Sequence, residues 1–145
     1  RPFVGPAGRE LDRVLEAAGI DRGETYVTNV VKRFKFVEKG KRRLHDKPNR
    51  NEVKACRPWL DRELALIGPE AVVALGATAA QSLFGSDFRV TRMHGRPVES
   101  FLSPLAMATI HPSAILRSRT PESRAENREL MIADLAKLAG MLDGR

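Results

Sequence analysis

Cysteine is nearly absent from this sequence: Cys56 is the only one in 145 residues. No intrachain disulfide can form, and a reducing cytoplasm is the setting that implies. Taken alone, one cysteine in a helix reads as a small buried hydrophobe. Long apolar runs are absent as well. No stretch approaches the roughly 20 residues that cross a bilayer, and no signal-peptide pattern opens the chain. A membrane span, a secreted disulfide scaffold and, for want of internal repeats, a repeat array are therefore excluded. The sequence opens at Arg1 in what reads as the middle of a loop, so upstream material is expected. A hydrophobic share of 42% beside a charged share of 30% suits one compact domain over residues 1–145 with a real core.

Acidic residues are scarce in one place. Between Lys32 and Arg50 stand nine basic residues and two acidic ones, Glu38 and Asp46, an excess equal to the whole net charge of +7. A positive balance confined to one segment is the footprint of a surface that neutralises phosphates. It is also what a solvated, solubilising loop looks like, and charge alone does not separate the two.

Patterning supplies the elements. Apolar residues at Leu11, Val14, Leu15 and Ala18 have the spacing of a helix with one buried face over Gly8–Ile20. Gly19 and Gly23 lead from it into Thr25–Val31, a run suited to a buried strand. The basic segment carries neither helical nor strand periodicity. Asn49 is placed to cap a helix from Arg50 to Ile67, with Val53, Trp59, Leu60, Leu64 and Ile67 as its apolar contacts and Pro58 expected to kink or break it near Cys56. Ala71–Leu75 reads as a strand covered on both faces, and Gly76 turns into a helix over Ala77–Phe84. Pro97–Phe101 and Leu105–Ile110 read as strands, the second ending at His111. Pro121 opens a last helix through about Leu142. Strands alternating with helices predict an α/β three-layer α/β/α sandwich with a mainly parallel sheet. In such folds chemistry gathers at the carboxyl ends of strands, which brings Asn29, the basic segment and His111 to one rim. His94 has no motif around it and is read as surface or structural.

Five stretches then resemble one family. Pro2-Phe3-Val4-Gly5-Pro6-Ala7-Gly8 is similar to the segment of family 4-like uracil-DNA glycosylases whose Phe stacks on the extruded base. Thr28-Asn29-Val30-Val31-Lys32 resembles their strand motif, and His111-Pro112-Ser113 their HPS motif. Cys56-Arg57-Pro58-Trp59-Leu60 looks like the helix that gives one ligand to an iron–sulfur cluster. Gly40-Lys41-Arg42-Arg43-Leu44-His45 resembles the KRRIH insertion that marks the UdgX branch, with Leu44 in place of Ile. The matches run in family order across nearly the whole chain. The family's acidic first motif and its strand, expected upstream of Phe3, are absent, as are two upstream Cys ligands, and Arg33 stands where conventional members have a third Cys.

The resemblance implies a uracil-DNA glycosylase domain, a 4Fe–4S cluster for which Cys56 is the one candidate ligand in this chain, and uracil-containing, preferably single-stranded, DNA as partner of a monomer. Phe3 would give the extruded base a flat apolar face worth about 1–3 kcal/mol. The Asn29 carboxamide accepts from one edge position of uracil and donates to its neighbour, a pattern that cytosine reverses. His111 would donate to the uracil oxygen as negative charge develops there, with Ser113 near a phosphate. His45, held against C1′, would outcompete water and leave a stable protein–DNA bond. Lys41, Arg42 and Arg43 would hold the DNA backbone and disfavour imidazolium at His45. Two alternatives stand beside this: a hydrolytic glycosylase that turns over, and a non-catalytic protein that binds uracil or single strands.

Overall fold

In the computed structural model the backbone is described for residues 5–28, 36–39, 42–45 and 50–144, and side chains for residues 5–28 and 57–144. The chain forms two compact units, one of Arg1–Thr28 with Pro69–Arg145 and the other of Asn29–Gly68. Among the described residues no helix is long and apolar enough to cross a membrane.

The first unit is built on two parallel strands, β3 (Ala71–Leu75) and β4 (Leu105–Thr109), in register from Ala71 opposite Leu105 to Leu75 opposite Thr109. They are numbered after two strands of the second unit, β1 and β2, described below. Side chains alternate along a strand, and the two faces meet different helices. Val73 and Leu75 pack into a cluster with Leu11, Val14, Leu15 and Ala18 of the first helix, and with Ile115, Met131 and Leu135 from the chain's end. Ala74 and Ala108 join Ala80, Phe88 and Val90 on the opposite face. The sheet is thus sandwiched between helices, the α/β/α arrangement that the alternating pattern predicts.

Helix α1 (Pro6–Ala17) buries the stripe Leu11, Val14, Leu15. Pro6 suits its first turn, where an N–H has no partner to lose. It ends in a Schellman motif: Gly19, at φ +82°, donates to the Glu16 carbonyl, and Ile20 N–H to that of Leu15. Helix α6 (Pro121–Asp143) starts where the Thr120 side chain accepts from Ser123 N–H at 3.0 Å, and buries Met131, Asp134, Leu135 and Leu138. A charged tie joins these two helices. Glu10, 5% exposed, accepts from Arg128 Nε and faces Arg13 at 3.7 Å. The Glu10 hydrogen bond also raises the Arg128 guanidinium above its ordinary value.

Two expected strands do not form among the described residues. Thr25–Thr28 is irregular, after a single 3-10 turn at Arg22–Glu24, and the rest of that expected strand lies outside the described residues. Pro97–Phe101 is irregular too. Gly95 N–H reaches the Ala108 carbonyl and Val98 N–H that of Ala106, so this segment does line β4. Between those two bonds sits Pro97, which has no N–H to donate, and no continuous ladder forms.

The second unit holds an antiparallel pair, β1 (Phe36–Lys39) and β2 (Arg42–His45), with Phe36 opposite His45 and Glu38 opposite Arg43. The basic segment, expected to lack strand structure, therefore contains a ribbon. Its charges hid a backbone ladder whose register sets Glu38 opposite Arg43. Helix α2 (Arg50–Ile67) follows and runs through Pro58 without a break, so of the expected kink or break the break does not occur. A proline in a helix forfeits one backbone bond, a loss the helix tolerates here. Leu60 is buried as expected, whereas Trp59 and Ile67 are exposed. The Arg62 guanidinium covers the Trp59 ring at 5.3 Å, and Arg57 pairs with Asp61 at 2.7 Å.

Candidate active site

The carboxyl ends of β3 and β4 lie side by side, and each runs directly into a helix. β3 passes through Gly76 into α3 (Ala77–Phe84); β4 passes through Ile110 and His111 into α5 (Pro112–Leu116). The short α4 (Val90–Met93) precedes β4 on the α3 face. Gly76 adopts φ 89° and ψ 172°, a conformation essentially confined to glycine. Its N–H bonds to the Thr109 carbonyl, and a Cβ placed there would stand 3.1 Å from His111 Cβ. The glycine therefore lets the two strand ends close upon each other beneath the histidine.

His111 caps α5. Its Nδ1 accepts from the Ser113 backbone N–H at 3.0 Å, and the Ser113 hydroxyl oxygen lies 2.8 Å from the same nitrogen. Arg117, one turn further on, donates from Nη1 to that oxygen at 2.8 Å. A backbone N–H cannot accept, so Nδ1 carries no hydrogen and the ring's proton sits on Nε2. Burial first, and the Arg117 charge second, hold the imidazole below its ordinary value of 6.5. The strand end thus presents a neutral imidazole of one tautomer, able to donate from Nε2.

Of the other residues singled out in the sequence, Phe3, Asn29 and Lys41 lie outside the described residues. Arg42, Arg43 and His45 lie on β2 and Cys56 on α2, with their side chains outside the description. His111 and Ser113 are the two brought into contact, and the Ser113 hydroxyl is engaged by His111 and Arg117. Sequence reasoning missed Arg117, although its i+4 spacing from Ser113 is that of helix neighbours. It also missed Gly76 as the floor under His111; a Gly between strand and helix was the available signal. His94 is half-buried, with Nδ1 2.8 Å from Asp134 Oδ2, which also accepts from Thr109 Oγ1 at 2.7 Å. No sequence pattern joins those three residues.

No cluster of three or more His, Cys, Asp or Glu suited to a metal occurs among the described residues. A 4Fe–4S cluster takes four thiolates, and Cys56 is the single thiol of these 145 residues. The donor set present does not fit the cluster by itself.

With two strand ends, a capped helix and a neutral histidine in place, the class is an α/β protein with a polar site at the carboxyl edge of its sheet. The chain belongs to the uracil DNA glycosylase superfamily, whose family model matches residues 1–136. It is similar to type-4 uracil-DNA glycosylases from Thermotoga maritima (33% identical, covering 94% of this chain and 66% of the relative), Pyrobaculum aerophilum (32%, 97% and 68%) and Archaeoglobus fulgidus (33%, 99% and 69%). The chain spans about two thirds of the length of these curated relatives.

Proposed function

We propose that this chain is the uracil-excising portion of a cytoplasmic DNA glycosylase that acts as a monomer and becomes bonded to its DNA through His45. The observation that carries the glycosylase reading is the His111 tautomer. With Nδ1 accepting from Ser113 N–H, the ring's hydrogen is on Nε2, and a neutral N–H donor stabilises an oxygen that gains negative charge in the transition state. As the bond between uracil N1 and C1′ breaks, its electron pair leaves with uracil and positive charge develops on the sugar. Phe3 would stack on the extruded base, and Asn29 would match uracil's donor and acceptor edge.

The fate of the sugar distinguishes two readings. In the first, the unprotonated nitrogen of His45 donates its lone pair to C1′, and the resulting imidazolium gives up its remaining N–H proton to solvent. Uracil anion is protonated by water, and the adduct has no built-in route of release. The basic insertion Lys41-Arg42-Arg43-Leu44-His45, with His45 ending β2, supports this reading. In the second, water adds to C1′ and an abasic site is released, a reading favoured by the likeness to type-4 uracil-DNA glycosylases.

Incubation with uracil-containing single-stranded DNA, followed by a denaturing gel, separates them. The expected product is a slow-migrating species that survives heat and is not formed with thymine DNA. His45→Gly should release uracil and leave an abasic site without the adduct, whereas His111→Ala should lower adduct and free uracil together. An adduct still formed by His45→Gly would falsify capture by His45, and free abasic product from the unaltered protein would establish the hydrolytic reading. A duplex run in parallel tests the preference for single strands.

A further inference from the structure

The three groups at the start of α5 form an ordered chain of donors. Arginine donates and never accepts, so at the contact between Arg117 and Ser113 the serine oxygen must be the acceptor. The hydroxyl's single hydrogen is then directed to the other neighbour at hydrogen-bond distance, His111 Nδ1 at 2.8 Å. Ser113 N–H arrives at the same nitrogen at 3.0 Å. Were Nδ1 protonated, its hydrogen would face the Ser113 N–H, which cannot accept, and the ring would have to leave the cap.

We propose that Arg117 is a positioning residue for His111: by occupying the Ser113 oxygen it turns the hydroxyl hydrogen onto Nδ1, so the ring stays seated at the start of α5 as its Nε2–H tautomer. This deepens, and rests on, the reading of His111 as the donor to departing uracil. The buried carboxylates of the packed helices, Glu10 and Asp134, are committed elsewhere. Glu10 of α1 and Arg128 of α6 pair with each other, Asp134 of α6 is held by Thr109 and His94, and β3 and α3 contain no charged residue. The Arg117 charge, which opposes protonation of His111, acts in the same sense as the hydrogen-bond chain.

Histidine-selective long-range 1H–15N spectra of the labelled protein read this directly. The sequence has three histidines, and His45→Gln and His94→Gln assign the remaining ring. In the unaltered protein, Nδ1 of His111 should resonate as an unprotonated ring nitrogen and Nε2 as a protonated one. Arg117→Ala should mix the tautomers and move the ring's titration upward in pH, with the acid limb of the uracil-release profile moving the same way. Arg117→Lys, which keeps charge and donor, should restore both; Arg117→Gln, which keeps the donor alone, should restore the tautomer and not the titration. A ring spectrum and titration in Arg117→Ala identical to those of the unaltered protein would overturn the proposal. Uracil release is scored separately on the same samples. The expected spectra without any release would contradict the glycosylase reading and leave the assignment of Arg117 standing.

Discussion

A single histidine caps the helix that follows β4, and the residues around it differ in how visible they were beforehand. His111 and Ser113 were legible because three adjacent letters and a strand ending in His pointed to them. Arg117 and Gly76 were not. An arginine is an ordinary residue at a helix end, and the glycine acts from a strand 35 positions away in sequence, a proximity that only the parallel pairing of β3 with β4 creates. Gly76 is where this has a sharp consequence. Gly76→Ala places a side chain in a glycine-only conformation, at a cost of about 1–3 kcal/mol, and drives its Cβ to 3.1 Å from that of His111. Urea denaturation should show a loss of that order. Uracil release should fall more than the loss of folded protein explains, because the ring itself is displaced. Release that merely tracks the folded fraction would mean that His111 is indifferent to its neighbour.

At the scale of elements, period and punctuation succeeded wherever one face of an element is buried. The apolar stripe of α1, the all-apolar β3 and the Pro121 start of α6 all follow from local pattern. Failures came where hydrogen bonding overrode pattern: the proline that prevents a ladder along β4, the charged ribbon of β1 and β2, and the helix that continues through Pro58. The polar tie between α4, β4 and α6 was likewise invisible, since His94, Thr109 and Asp134 meet only once the layers are stacked. Asp134 is 8% exposed and Thr109 fully buried, so removing the carboxylate strands a buried hydroxyl beside the half-buried imidazole of His94. Asp134→Ala should cost about 1–3 kcal/mol by thermal or urea unfolding, and Thr109→Val in that background should recover part of it. An Asp134→Ala protein as stable as the original would mean that water replaces the carboxylate without penalty.

For the molecule as a whole, the excess charge of the segment from Lys32 to Arg50 predicts how DNA is held. If Lys41, Arg42 and Arg43 each displace a counterion from phosphate, replacing all three by Ala should lower the slope of log affinity against log salt by roughly three, one for each contact. An unchanged slope would place the DNA-facing surface elsewhere. The interruption of the first unit by residues 29–68 bears on how the protein is made. Glu10 meets Arg128 across 118 positions of sequence. At roughly 5–20 residues per second of synthesis, α1 leaves the ribosome some 6 to 24 s, in order of magnitude, before the helix that covers it. Throughout that interval Leu11, Val14 and Leu15 have no α6 to pack against, and the nascent chain offers their stripe to any chaperone that binds exposed apolar helices.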